Sequence, residues 1–295
     1  MSIWTRALGR FARLMTPDVT GVFEGVPAKT TKPKTLLITG AAGSVATAIR
    51  PILSKHFEHV ILTDLVVPFD LLDNESFQQA DLADLSAMKM VCEGTDAVLH
   101  LGAASKNVPY DELRRPNLDG AYNLFAAASE AEVERVVFAS TLHTYGFYNR
   151  REWFDESSPA KPDSVYASSK LFGEAIAQMY AQKHGIRVAI LRIGALGENP
   201  LDVEPGNWIG PQDLADLCLI SLTHPQIQFE VFHGVANYRG SPVGRSRATK
   251  FGFNPATSPE SYGDAVKRAR YYWKEDKAAF LRGATFTGEE ETQAQ

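Results

Sequence analysis

Short, unbroken apolar runs alternate along the chain with longer stretches in which apolar residues recur every three or four positions. Thr35–Thr39, Val60–Thr63, Asp96–Leu101, Arg135–Ala139 and Val188–Leu191 are runs of the first kind. Bounded by glycine or polar residues and rich in valine, leucine and isoleucine, they predict strands buried on both faces. The second kind comprises Ala48, Ile49, Ile52 and Leu53, then Leu85 to Cys92, then Leu118, Tyr122, Phe125 and Ala126 within 117–130, and Ile176 to Gly185. Their period matches a helix of about 3.6 residues per turn. A weaker strand is expected from Phe77 to Ala80. Steady alternation of strand and helix as far as residue 193 predicts an α/β fold, a doubly wound parallel sheet with helices on both faces.

Outside that alternation the pattern changes. Beyond about residue 194 the chain is rich in Gly, Pro and Asn; Pro211-Gln212-Asp213 opens one more helix through Leu214, Leu217, Cys218 and Ile220, and Phe229 to Phe232 reads as a last strand. Four segments follow: an N-terminal amphipathic arm and linker (1–34), a dinucleotide-binding domain (35–193), a substrate cap with the final sheet and helix elements (194–282) and a disordered acidic tail (283–295). In the arm, Trp4, Leu8, Phe11 and Met15 share helical spacing with Arg6, Arg10 and Arg13 on other faces. Organelle-targeting and membrane-surface helices share this pattern. The simpler expectation is an arm docked on the body of the protein or on a second subunit.

Composition narrows the class. With 44% hydrophobic and 22% charged residues the chain is expected to bury a substantial core, and a net charge of −5 gives no reason for a nucleic-acid partner. No apolar run approaches the roughly 18 residues of a membrane span. The two cysteines, Cys92 and Cys218, fall inside amphipathic stretches, so two reduced core thiols and a cytoplasmic setting are expected.

Candidate chemistry begins after the first strand, at Gly40-Ala41-Ala42-Gly43-Ser44-Val45-Ala46. In a strand, glycine turn and helix, Gly40 permits the tight turn and Gly43 the approach of backbone to a pyrophosphate. The anion rests on free N–H groups at the helix start, at Ser44 and Val45. Ala46 stands where the third glycine of such motifs falls, a position that governs helix packing. These features specify a Rossmann-type dinucleotide site. Asp64 ends the second strand, where an acid accepts hydrogen bonds from the adenosine ribose and repels a 2′-phosphate, so NAD is expected over NADP. Asp81 and Leu82 are placed beside the adenine, and Leu101, Gly102, Ala103, Ala104 and Ser105 along the middle of the dinucleotide. His100, inside a buried strand, is expected to be a core histidine.

Farther on, Tyr166 and Lys170 lie four apart on one helix and share a face. A neighbouring ammonium favours phenolate, which would bring a tyrosine of ordinary pKa about 10 toward use as a base. The pair also arises on many surface helices, so context decides its meaning.

That context is a resemblance. Thr39-Gly40-Ala41-Ala42-Gly43, Asp64, His100-Leu101-Gly102, Asn117, Ser140-Thr141 with Tyr145-Gly146, Tyr166-x-x-x-Lys170 and Arg192 stand in the order of an extended short-chain dehydrogenase/reductase, the NAD-dependent epimerase/dehydratase family. Within it, Val137 to Thr141 through Gly146-Phe147-Tyr148, Lys161 to Tyr166, and Leu171 to Glu174 resemble uronate dehydrogenase. So do Asp213-Leu214-Ala215 and Gly234 to Asn237 in the cap. The resemblance implies that Asn117 and Ile193 help hold NAD. It further implies that Thr141 positions the substrate oxygen and Tyr166 takes its proton, while Lys170 lowers the tyrosine pKa and holds the nicotinamide ribose. The implied reaction is oxidation of a sugar or sugar acid, uronate-like, at its anomeric carbon to a lactone. It requires no metal. Ser105, Thr141, Leu142, His143, Tyr166 and Arg239 would line the substrate.

Two departures bear on substrate. Uronate dehydrogenases have Ser-Asn-His where this chain has Thr141-Leu142-His143, and leucine offers no side-chain hydrogen bond. They also carry a carboxylate-binding arginine shortly before the tryptophan matching Trp208, where Asp202-Val203-Glu204-Pro205 stands here. Arg239, Arg245 and Arg247 are candidate replacements, or solvated loop cations. The competing readings are a nucleotide-sugar epimerase or dehydratase and a non-catalytic NAD sensor. Leu142-His143 replaces the Asp-Glu pair of the dehydratases, and a sensor has no need of intact Thr141, Tyr166 and Lys170. A homodimer is expected through the helices at 117–130 and 165–183, the second exposing Met179 and Tyr180.

Overall fold

The computed structural model describes residues 32–104, 108–149, 152–200, 205–239 and 241–263; the expectations for the N-terminal arm, Ser105, residues 202–204 and the tail lie outside them. Strands β1 (Thr35–Thr39), β2 (His59–Thr63), β3 (Glu75–Phe77), β4 (Ala97–His100), β5 (Arg135–Thr141), β6 (Arg187–Ile193) and β9 (Phe229–Gly234) form one sheet. Its order is β3-β2-β1-β4-β5-β6-β9, and every pair is parallel. Strand order reverses between β1 and β4, the switch point at which such sheets open a crevice beyond the strand ends. A second ribbon pairs β7 (Ala195–Leu196) with β8 (Trp208–Ile209).

Successive side chains of a strand point to opposite faces, and β1 divides the core accordingly. Leu36 and Ile38 pack with Ile49 and Leu53 of α1 (Ser44–Leu53) and Leu214 and Leu217 of α6 (Pro211–Thr223). Leu37 faces Met88 of α2 (Leu85–Cys92), Phe125 of α4 (Gly120–Glu130) and Tyr180 of α5 (Val165–His184). Cys92 and Cys218 are buried free thiols, one on each side. No helix among the described residues is long and apolar enough to cross a membrane.

Several boundaries differ from the sequence pattern. β3 covers Glu75–Phe77 instead of Phe77–Ala80, the three residues that pair in register with Val60–Leu62 of β2. A short helix α3 (Tyr110–Arg114) precedes a π turn at Arg115–Asp119, and α4 starts only at Gly120 rather than at Asn117. Pro116 has no N–H to continue the α ladder, and the Gly120 N–H reaches back to the Arg115 carbonyl. Tyr180 is 8% exposed, stacked on Phe125 and edge-on to Tyr122, while Met179 packs partly buried on the same cluster. The expected exposure of both is thus corrected: helical spacing does not reveal which face a neighbouring helix covers.

The edge of the sheet is held by charge. Arg50 and Glu75 form an ion pair with side chains 5% and 0% exposed. Ser54 Oγ and the Leu72 N–H also donate to that carboxylate, at 2.6 and 2.9 Å, and Arg50 Nη2 donates to the Phe69 carbonyl at 2.7 Å. Removing one partner strands a buried charge. Arg50→Ala is expected to cost about 3–5 kcal/mol in urea unfolding, and the double variant Arg50→Met/Glu75→Leu far less.

Candidate active site

The crevice at the switch point is built on glycine. Gly40 has φ +69°, and a Cβ there would come within 2.6 Å of the Gly102 Cα. The loops after β1 and β4 therefore touch backbone to backbone, which a side chain would prevent. Gly43 serves as N-cap of α1 without a side-chain cap, leaving the first N–H groups of that helix uncapped by side chains. Asp64 Oδ2 accepts the Ala42 N–H at 3.0 Å, tying the end of β2 to the glycine loop.

These elements enclose a cleft of about 440 Å³. Among its lining residues are Gly40, Gly43, Asp64, Asp81, Leu82, Leu101, Gly102 and Ala103, which the sequence assigned to one dinucleotide. Leu65, Val66, Ala80 and Pro116 line it as well. Sequence reasoning passed over these four, although their adjacency to Asp64, Asp81 and Asn117 was a usable signal. Ser44 and Val45 sit in the first turn of α1 just outside the lining. The acid at the ribose end, the paired glycines and the apolar walls fit a dinucleotide without a 2′-phosphate.

Asn117 acts as a brace. Its Oδ1 accepts the Ala104 N–H at 2.7 Å, and its Nδ2 donates to the Ala104 carbonyl and, at 2.9 Å, to Ser169 Oγ. One amide thus joins the wall of the cleft to α5, the helix bearing Tyr166 and Lys170. Ser164 starts that helix, its Oγ accepting the Ala167 N–H at 3.2 Å.

Electrostatics corrects one expectation. Burial pushes the Tyr166 phenol up to about 12. It also pushes Lys170 down to about 8, against the opposing charge of Glu174. Lys170 is 4% exposed, with Nζ 5.2 Å from the Phe138 ring centre and 5.9 Å from that of Tyr166. Burial therefore moves Tyr166 away from neutrality. His100 is the core histidine expected: buried, with Nδ1 2.7 Å from Thr39 Oγ1, and held at about 3 by burial and then by the Lys170 charge.

β5 ends at Thr141, in register with Ile193 of β6, which pairs in turn with Gly234 of β9. Thr141 Oγ1 accepts the His143 N–H at 3.2 Å. Leu142 packs with Tyr145, Tyr148, Phe154, Val235 and Val243 under the cap. His143 Nδ1 lies 2.7 Å from Asp163 Oδ2, and Asp163 Oδ1 accepts Ser164 Oγ at 3.0 Å, so the turn after Thr141 is tied to the start of α5. Below them, burial would lower the Arg192 pKa, but hydrogen bonds and charge from Glu174, with Tyr145 beyond, raise it. Arg192 donates to both Glu174 oxygens and to the Tyr145 hydroxyl, while Ser140 Oγ donates to Glu174 at 2.5 Å. Arg239 is exposed, Arg247 pairs with Glu230 at 3.3 Å, and Arg245 is half-buried beside Asn237.

A crevice at the switch point of a parallel, helix-flanked sheet defines a Rossmann-type nucleotide-binding fold. Residues 36–199 match the model of the NAD dependent epimerase/dehydratase family. The uronate dehydrogenase of Pseudomonas syringae pv. tomato is 32% identical over 253 residues, covering 85% of this chain and 92% of that protein. A solved structure described as a mutated uronate dehydrogenase superposes with TM-score 0.83 at 32% identity, covering 89% of this chain and 97% of its own. The Agrobacterium tumefaciens enzyme, as a tyrosine-to-alanine mutant complexed with NAD, gives TM-score 0.81 at 31% identity over 86% and 97%. The chain belongs to the NAD dependent epimerase/dehydratase family.

Because burial dominates at Tyr166, titrating the protein by tyrosinate absorbance, against Tyr166→Phe as baseline, is expected to show no phenolate from this residue in the neutral range. A Tyr166 signal ionising near pH 7 would overturn the assignment of burial as the controlling effect.

Proposed function

We propose that the chain, an NAD-dependent oxidoreductase acting on CH–OH groups, oxidises a sugar or sugar acid at the anomeric hydroxyl to a lactone. The observation that supports this reading is the brace by which Asn117 joins Ala104, in the wall of the cleft, to Ser169 on the helix that carries Tyr166 and Lys170. Thr141 would hold the substrate hydroxyl by hydrogen bonding, and Tyr166 would take its proton. Lys170 would hold the nicotinamide ribose and stabilise the phenolate. When bound, NAD⁺ accepts the hydride from the anomeric carbon and adds a positive charge near the phenol. That charge favours the phenolate, opposing the burial that keeps Tyr166 protonated in the protein alone. Asp64 disfavours a 2′-phosphate. The dehydratase reading is weaker, since Leu142 is packed into an apolar cluster and offers no acid to the turn.

Assayed with a panel of free aldoses and uronic acids, the protein is expected to reduce NAD⁺ faster than NADP⁺. Tyr166→Phe should lose about 10²- to 10⁴-fold or more in kcat while its affinity for NAD is kept. Turnover of a UDP- or GDP-sugar without net NADH, and none with free sugars, would select the epimerase instead.

We further expect a homodimer built on α4 and α5, where Tyr122 and Phe172 are the exposed rings. Light scattering at micromolar concentration checks this, and a clean monomer would contradict it.

A further inference from the structure

Asp163 is enclosed between the turn that follows β5 and the start of α5. Its side chain is 0% exposed, and each of its oxygens has a partner. His143 Nδ1 lies 2.7 Å from Oδ2, and Ser164 Oγ donates to Oδ1 at 3.0 Å. Ser164 is in turn the N-cap of α5, its Oγ accepting the Ala167 N–H at 3.2 Å, and Tyr166 follows it by two residues. On the other side, the His143 N–H donates to Thr141 Oγ1 at 3.2 Å. One carboxylate therefore stands in the middle of a path from the Thr141 hydroxyl to the first turn of the Tyr166 helix.

The backbone holds the same two segments together without that carboxylate. The Asp163 N–H donates to the His143 carbonyl at 3.4 Å, the Lys161 N–H to the Thr144 carbonyl at 2.8 Å and the Phe147 N–H to the Lys161 carbonyl at 3.0 Å. What the carboxylate adds is orientation. A carboxylate only accepts, so its 2.7 Å contact assigns the hydrogen to His143 Nδ1 and leaves Nε2 of the neutral ring as an acceptor. Its place is also tightly set, since a Cβ on Gly146 would come within 1.9 Å of Asp163 Oδ2.

We propose that Asp163 is a positioning residue for the oxidation: clamped between His143 and Ser164, it sets Thr141 relative to Tyr166 and holds the His143 ring in its Nδ1–H form. This rests on the sugar-dehydrogenase reading above. In that reaction Thr141 and Tyr166 must meet one substrate oxygen, although they stand on separate elements. Misplacement of reacting groups by about 1 Å can cost about 10²-fold in rate.

The test uses the full chain at saturating NAD⁺ with the sugar of the panel above that wild type oxidises fastest. Asp163→Asn keeps the side-chain volume and removes the charge. It is expected to lower kcat about 10- to 100-fold, with Kd for NAD⁺ by titration calorimetry within about threefold of wild type. A cycle with His143→Gln separates positioning from a purely structural role, because glutamine does not reproduce Nδ1. In that background the path is already cut, so Asp163→Asn should cost less than about threefold more in kcat. An equal loss in both backgrounds, or full kcat in Asp163→Asn, would overturn the assignment. Nitrogen NMR of isotope-labelled histidine supplies a readout that does not depend on an Asp163 variant folding. His143, assigned by the signal lost in His143→Gln, is expected to carry its hydrogen on Nδ1 when neutral, and an Nε2–H ring would likewise overturn the clamp. Wild type that oxidises none of the sugars would remove the dehydrogenase reading and this role with it, whereas an active wild type matched by Asp163→Asn removes the role alone.

Discussion

The contact on which the site depends is the approach of two backbones, that of Gly40 after β1 and that of Gly102 after β4. Strand order reverses between these strands, so their loops diverge to opposite faces of the sheet and leave a crevice. The crevice is closed at its base only because neither residue carries a Cβ. Every other part of the dinucleotide cleft is arranged around that seam. Asp64 is tied to the loop of the first glycine, Leu82 lies against the second, and Asn117 fixes the backbone that follows.

Burial then sets the chemistry. Helix α5 is packed so closely on β5 that Gly173 lies against the Phe138 ring, where a Cβ would come within 2.3 Å. Lys170 is carried into the same dry layer, so the ammonium is destabilised and the phenol of Tyr166 stays protonated. Close by, Arg192 and Glu174 offset each other's desolvation, and Ser140 and Tyr145 take part in the same network. That network sits directly under the end of β5 and fixes Thr141 by holding its neighbour.

The cap is joined to the site by apolar contact rather than by charge. Leu142, Tyr145 and Tyr148 pack with Phe154, Val235 and Val243, and His233 bridges from the Gly244 carbonyl at 2.6 Å to the Tyr145 hydroxyl at 3.3 Å. Gly194 passes so near Asn207 that a side chain there would collide with its carbonyl. The segments after β6, β8 and β9 thereby meet, with the Gly194 N–H on the Gly234 carbonyl and the Ala236 N–H on that of Trp208.

Much of this was legible in the sequence. Thr35–Thr39 with Gly40 and Gly43 specifies a strand, turn and helix whatever surrounds it, because steric limits and apolar periodicity act locally. Asp64 and the Tyr166–Lys170 spacing follow from the same local rules, and the order of the motifs marked the family. Tertiary structure decided the rest. Helical spacing put Tyr180 on a stripe without telling that α4 covers it, and it began a regular helix at Asn117, where the backbone forms a π turn from Arg115 to Asp119. The spacing of Tyr166 and Lys170 predicted a lowered phenol, yet the sign of the shift depends on how much water the packed helix excludes. Arg239, Arg245 and Arg247 read alike as cap cations. Only the fold, by placing Glu260 near the first and Glu230 against the third, left Arg245 as the half-buried cation paired with a neutral amide, since burial and charge pairing arise from residues far apart in the chain.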